Sequence, residues 1–190
     1  MRIKFGNIYQ YDNNNLINSW EIKKRIYQRS IELLKYGSLK RKNVIINHSN
    51  SIEFFIDLFT IWFNDGCAIC IDNTLSLIEL NNIVKQTSSK LILVNKNNKI
   101  YRKIKKIKIV QVNKETKQIF NKTPKIRINF NSNNNALILY TSGTTGVPKG
   151  VVHTYKNLYY KWYTLSKIFK ISDIKNTLCT LPTHFGHGLI

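Results

Sequence analysis

Between Asn43 and Val94, short apolar runs alternate with stretches of helical periodicity, and few architectures accept that alternation. In NVIINHSNSIEFFIDLFTIWFNDGCAICIDNTLS the order is strand, a serine in N-cap position, amphipathic helix, glycine and second strand. SLIELNNIVKQTSSKLILVN continues it with a helix and then another strand. Strands joined through helices do not pair as hairpins. Each helix carries the chain back to the same end of the sheet, so the strands run parallel and the helices cover its faces. The expected fold class is α/β, layered. An earlier helix is predicted over Ile22 to Tyr36 from Ile22, Ile26, Ile31, Leu33 and Leu34, with Gly37 as its stop. From Asn95 to Asn135 the pattern gives way to Lys- and Asn-rich stretches around one strand, Ile107 to Val112. NSNNNA, before Leu137, reads as a linker loop.

The stretch LYTSGTTGVPKGVVHT, Leu139 to Thr154, carries the chemistry. ALILY before it and GVVH within it are both of strand type, so the loop between them is predicted to join two strands. It offers hydroxyls at Thr141, Ser142, Thr144 and Thr145, while Gly143 and Gly146 permit backbone shapes that other residues resist. Successive N–H groups in such a turn form an anion nest, and Lys149 adds full positive charge nearby. Polyphosphate is the natural guest. The P-loop pattern fails on spacing, because Pro148 stands where its second glycine belongs and Gly150 follows the lysine. The dinucleotide fingerprint fails because Gly143 and Gly146 lack a third partner. A plain polar hairpin is the remaining alternative, set aside because the order of hydroxyls, Gly, two Thr, Gly, Pro, Lys and Gly is so particular.

That order resembles the signature loop of the adenylate-forming (AMP-binding) superfamily: acyl-CoA synthetases, aryl-CoA ligases, luciferases and the adenylation domains of peptide synthetases. The family pattern Y-T-S-G-T-T-G-x-P-K-G is met at every position from Tyr140 to Gly150. The resemblance implies that the loop folds over the β- and γ-phosphates of ATP while a carboxylate attacks the α-phosphorus. Thr141, Ser142, Gly143, Thr144, Thr145 and Gly146 would form the cradle. Lys149 would anchor the loop and add charge, and Pro148 would stiffen its exit. Trp20 to Val94 also resembles the family's N-terminal α/β region, departing from it at Ile71, near where the family usually has proline.

Downstream, Lys156 to Phe169 reads as an aromatic-rich helix whose Tyr159, Tyr160, Trp162 and Tyr163 belong to a packed face, with a stacking surface for adenine or an acyl group as the alternative. TLCTLPTHFGHGLI resembles the next family motif, a strand, Leu-Pro, and then an aromatic or histidine before Gly-Leu. In that motif an aromatic or His side chain lines the acyl pocket. His187 is the best positional match, with His184 and Phe185 beside it; a histidine that merely holds the turn is the competing reading. No metal site is expected there, since His184 and His187 lack a second pair of ligands nearby.

Thirty Lys and Arg against ten Asp and Glu give a formal charge of +20, which raises nucleic acid as a partner. The lysines, however, are spread through the chain alongside abundant Ile and Asn, all A/T-rich codons, so base composition explains them and no nucleic acid is expected. The densest cluster, Lys99 to Lys114, partly alternates Ile with Lys as a half-exposed strand does. Cys67 and Cys70 form a C-x-x-C inside an apolar run and Cys179 stands apart, so buried small hydrophobes are expected rather than a disulfide framework. The N-terminus has no apolar core of about 7–15 residues for a signal peptide. FFIDLFTIWF is shorter than the roughly 20 residues of a membrane span and contains Asp57. A reducing cytoplasm fits these features, with no transmembrane segment.

Taken together, residues 1–190 are expected to be a partial adenylation domain: an α/β region over 20–94, then the phosphate loop and the start of the acyl-pocket motif over 136–190. The sequence ends at Ile190, within that motif. The resemblance puts the main catalytic residues beyond Ile190: the aromatic-Gly-x-Thr-Glu motif, the ribose-binding aspartate, the hinge and the lysine-bearing C-terminal lid domain. The chain is therefore expected to be truncated and inactive alone. The function expected of the whole is an ATP-dependent, AMP-forming carboxylate ligase, using ATP and Mg2+ and passing the acyl group to coenzyme A or a carrier-protein phosphopantetheine. The alternatives are a non-catalytic nucleotide-binding remnant, a module completed by a complementary chain, and a basic nucleic-acid-binding protein.

Overall fold

The computed structural model describes residues 5–95, 101, 103–104, 107–112, 125–141, 148–169, 174 and 176–189. A small hairpin comes first: β1 (Ile8–Gln10) and β2 (Asn15–Ile17), antiparallel around a 3-10 turn at Tyr11–Asn13. No sequence signal announces it. After it come α1 (Ser19–Leu34), β3 (Asn43–Ile46), α2 (Ile52–Phe63), β4 (Cys67–Cys70), α3 (Leu77–Thr87), β5 (Leu91–Val94), β6 (Lys108–Gln111), β7 (Asn135–Thr141), β8 (Lys149–Thr154), α4 (Tyr155–Ile168) and a final turn α5 (Gly186–Leu189). Strands β3 to β8 form one sheet in the order β6-β5-β3-β4-β7-β8. All its neighbours run parallel except β7 and β8, which are antiparallel. The expected α/β layering with a parallel sheet is what forms.

Period-two alternation on the strands sorts residues onto the two faces. Val44, Ile46, Ala68, Cys70, Leu137 and Leu139 meet Phe54, Leu58, Ile61 and Trp62 of α2 on one face. Ile45, Cys67, Ile69, Ile92 and Ile138 meet Leu80 and Ile83 of α3 on the other. Full burial of such side chains is worth about 1.5–3 kcal/mol each, so the two faces carry most of the fold's stability. The ring N–H of Trp62 donates to the Ala136 carbonyl at 2.8 Å, tying α2 to β7. Cys67 and Cys70, three positions apart on a strand, point to opposite faces, and both are buried as small apolar groups.

Helix starts follow their caps. Asn18 accepts from the Trp20 and Glu21 N–H groups, Ser51 from Phe54, and Ser76 and Glu79 form a reciprocal capping box on α3. Helix α1 packs on the outside of α2 through Ile22, Ile26, Ile52 and Ile56. Leu34, expected on the buried face, is exposed. Arg29 lies inside instead, because a charge network waits for it there. Its guanidinium pairs with Asp57, with Glu53 at 3.1 Å and with Glu32 at 3.2 Å. Arg25 also pairs with Glu53, and His48 meets the second Asp57 oxygen at 2.8 Å. Asp57, in the middle of an apolar helix, is therefore compensated on both oxygens.

Residues 177–180, expected as a strand, have no regular structure. A strand exists through a neighbour's hydrogen bonds, and among the described residues none runs beside them; Leu178 is 85% exposed. Among the described residues no helix is long and apolar enough to cross a membrane.

Candidate functional site

Helix α2 leaves β3 over one face of the sheet and α3 leaves the adjacent β4 over the other. Where neighbouring crossovers diverge, a crevice opens at the C-terminal ends of the strands, the usual ligand position in open α/β sheets. Asn47 follows β3 and Asp72 follows β4, and the Asn47 amide donates to the Asp72 carbonyl at 2.9 Å across the gap. Tyr101 steadies Asn47 by donating its hydroxyl to Oδ1 at 2.6 Å.

The hairpin of β7 and β8 ends at the same edge. Cys70 pairs with Leu139, so Asp72 and Thr141 each stand two residues beyond that pair on adjacent strands. The ladder closes with Tyr140 opposite Gly150 and Thr141 opposite Lys149. The Thr141 hydroxyl donates to the Lys149 carbonyl at 3.4 Å, which joins the two roots of the loop. The Tyr140 hydroxyl reaches Gln86 of α3 at 3.2 Å, and burial pushes its pKa up. A Cβ on Gly150 would come within 3.1 Å of Ile138 and 3.3 Å of the Tyr140 ring, so this close crossing favours glycine. The structure thus brings Thr141 and Lys149 together. Ser142, Gly143, Thr144, Thr145 and Gly146 lie outside the described residues.

Residues Pro182 to Leu189 form a strap across the ends of β3, β4 and β7. Thr183 bonds Asn50 beyond β3, His184 faces Asp72 beyond β4, and Gly186 lies against Leu139 of β7, where a Cβ would stand 3.7 Å from Cδ1. Ile190, the residue beyond which the main catalytic groups are expected, lies outside the described residues. The three candidate pocket residues are not equivalent on the strap. His184 is buried, its ring 4.4 Å from that of Phe185 and its Nε2 3.5 Å from an Asp72 oxygen, with neither ring nitrogen hydrogen-bonded. Phe185 is 47% exposed, and His187 is exposed in α5. Burial raises the Asp72 carboxyl pKa, but the Thr74 N–H and hydroxyl, helped by His184, outweigh it and hold the group below its usual range. A separate cleft of about 670 Å3 opens between the hairpin of β1 and β2, the start of α2 and the strap. Among the described residues its lining takes in Asn50 and Thr183 but none of the predicted site residues. Asn50, Asp72 and Thr183 went unnoticed in the sequence; the reciprocal fit of Asn50 to Thr183 spans 133 positions and leaves no local pattern.

The sequence pattern of the family described as AMP-binding enzyme matches residues 21–190. The chain belongs to that family. Among the relatives of this chain, the malonate–CoA ligase of Arabidopsis thaliana is 29% identical over 167 residues, 81% of this chain and 27% of that protein. The fold of this chain is similar to that of ATP-bound MatB from Rhodopseudomonas palustris, with a TM-score of 0.77 and 19% identity over 97% of this chain and 39% of that one. It is also similar to O-succinylbenzoate coenzyme A synthetase from Bacillus subtilis in complex with AMP, with a TM-score of 0.72 and 20% identity over 96% of this chain and 48% of that one. The chain therefore spans less than half the length of each of these proteins.

Proposed function

We propose that this chain supplies the nucleotide-phosphate loop and part of the acid pocket of an ATP-dependent, AMP-forming acid–CoA ligase. One observation carries the reading: the loop bearing the family signature is rooted at Thr141 and Lys149, at the strand ends that the strap of Phe185 and His187 crosses. ATP and the acid need that proximity, because the carboxylate must reach the α-phosphorus from beside the triphosphate.

In this reading the carboxylate attacks the α-phosphorus, an O–P bond forms and pyrophosphate leaves. A thiol then attacks the acyl carbon of the mixed anhydride, and AMP leaves. Coenzyme A is the thiol favoured by the named relatives, with a carrier-protein phosphopantetheine as the alternative. The backbone and hydroxyls of Thr141 to Gly146 hold the β- and γ-phosphates, and the Lys149 ammonium offsets charge that grows on departing pyrophosphate. Phe185 and His187 face the acid. Malonate and O-succinylbenzoate, named for two of the relatives, are both dicarboxylates, which makes acids with a second carboxylate the first class to assay. Mg2+ would shield the triphosphate. Among the described residues no group of three His, Cys, Asp or Glu is gathered to hold it, so no role assigned to these side chains passes through the metal.

The test is made on the longest polypeptide that contains this sequence. Thr141→Val with Lys149→Ala should slow acid-dependent pyrophosphate release by roughly 100-fold or more, the scale of losing transition-state charge stabilisation. Thiol transfer from a supplied acyl-adenylate should change far less. Unchanged pyrophosphate release in the double variant would falsify the loop assignment.

A further inference from the structure

Thr183 is only 1% exposed, and two reciprocal hydrogen bonds hold it. Its N–H donates to Asn50 Oδ1 at 2.9 Å, and the Asn50 N–H donates to Thr183 Oγ1 at 3.1 Å. Asn50 is not needed to start α2. Ser51 caps that helix by accepting from Phe54, and Gln10 accepts from Ile52 at 2.9 Å. Asn50 also adopts φ of 51°, a left-handed conformation that asparagine tolerates better than most residues and that turns its N–H toward the strap. The N–H and the side-chain oxygen of Asn50 are thus both committed to a segment far away in sequence.

What lies beyond Thr183 moves with it. The Phe185 N–H donates to the Pro182 carbonyl and the Gly188 N–H to the Phe185 carbonyl, each at 3.1 Å. A Cβ on Gly188 would lie 2.3 Å from the Pro182 oxygen, so the turn is closed too tightly for any other residue. Leu189, partly buried, packs against the core cluster that includes Leu137 and Leu139. The strap is therefore a short hydrogen-bonded turn, with Thr183 as its attachment beside β3 and Leu189 packed at its other end.

We propose that Asn50 is a positioning residue for the acid pocket: by latching Thr183 to the end of β3 it sets where Phe185 and His187 stand relative to the Thr141–Lys149 mouth. The inference rests on the ligase reading above. Asn50 touches neither substrate; it acts through the strap, so its loss falls on recognition of the acid and spares recognition of ATP, whose loop is rooted on β7 and β8.

The experiment is a kinetic split on the longest polypeptide carrying this sequence. Asn50→Gly keeps the left-handed backbone and removes the acceptor; it should raise KM for the acid about five- to tenfold, the size of one net hydrogen bond, with KM for ATP unchanged. Asn50→Asp keeps an acceptor oxygen and should restore the acid KM. Thr183→Val, which removes the other bond, should give the same split and is the recourse if the glycine variant folds poorly. An acid KM that stays constant, or KM values for acid and ATP that rise together, overturns the latch while leaving the ligase reading intact. A wild-type protein without acid-dependent pyrophosphate release overturns the ligase reading itself, and the latch with it.

Discussion

The thiols of Cys67 and Cys70 lie inside the sheet, and burial pushes that of Cys67 up to about 12 and that of Cys70 higher. A thiolate, not a thiol, is the nucleophile, so both should resist alkylation in the folded protein. Cys179 is exposed beside the strap, its Sγ 3.3 Å from the Gly188 carbonyl. Iodoacetamide at about pH 8 should modify Cys179 alone until urea unfolds the chain, as peptide mass mapping will read. Asp72 makes a second prediction at this scale. Its folded pKa is depressed, so its contribution to stability is present above the ordinary carboxylate range and is lost as pH falls through the depressed value. Urea midpoints should therefore decline on acidification from about pH 6 to about pH 3, and Asp72→Asn should flatten part of that decline.

Among the elements, the contact of α1 with α2 carries the sharpest energetic consequence. Asp57 has no exposed surface and holds Arg29 and His48 at once. Asp57→Ala strips the carboxylate from between them and should lower the unfolding free energy by about 3–5 kcal/mol, as breaking a buried pair does. Glu32, a quarter exposed at the rim of the same network, should cost no more than about 1 kcal/mol when replaced by Ala. Urea denaturation of the two variants compares them directly. Equal losses would show that the network is held at its rim rather than around Asp57. In the sequence, Asp57 speaks only against a membrane span. Nothing in FFIDLFTIWF says which basic group will answer it, since Arg29 sits on another helix 28 positions away.

Across the whole molecule, the divergence of α2 and α3 between β3 and β4 underlies the proposed site. It opens the crevice, and the registers of β4 and β7 bring the Thr141–Lys149 mouth to the same edge. The helices, the parallel strands and the hairpin of β7 and β8 were legible beforehand because their signals are local: a cap three residues from its N–H, apolar residues at a period of two or 3.6, a family loop matched residue for residue. The strand expected over 177–180 failed for the opposite reason, because a strand needs a neighbour that no local pattern supplies. The same holds for the site. Sequence alone determined the α/β class, the two strands that flank the signature loop, and the motif that carries His184, Phe185 and His187. Only the tertiary structure decided that His184 is buried against Asp72 while Phe185 and His187 stay open, and that Asn50 bonds Thr183 in the same segment. Burial and long-range hydrogen bonds depend on which segments the fold brings together, and that is a property of the packed chain.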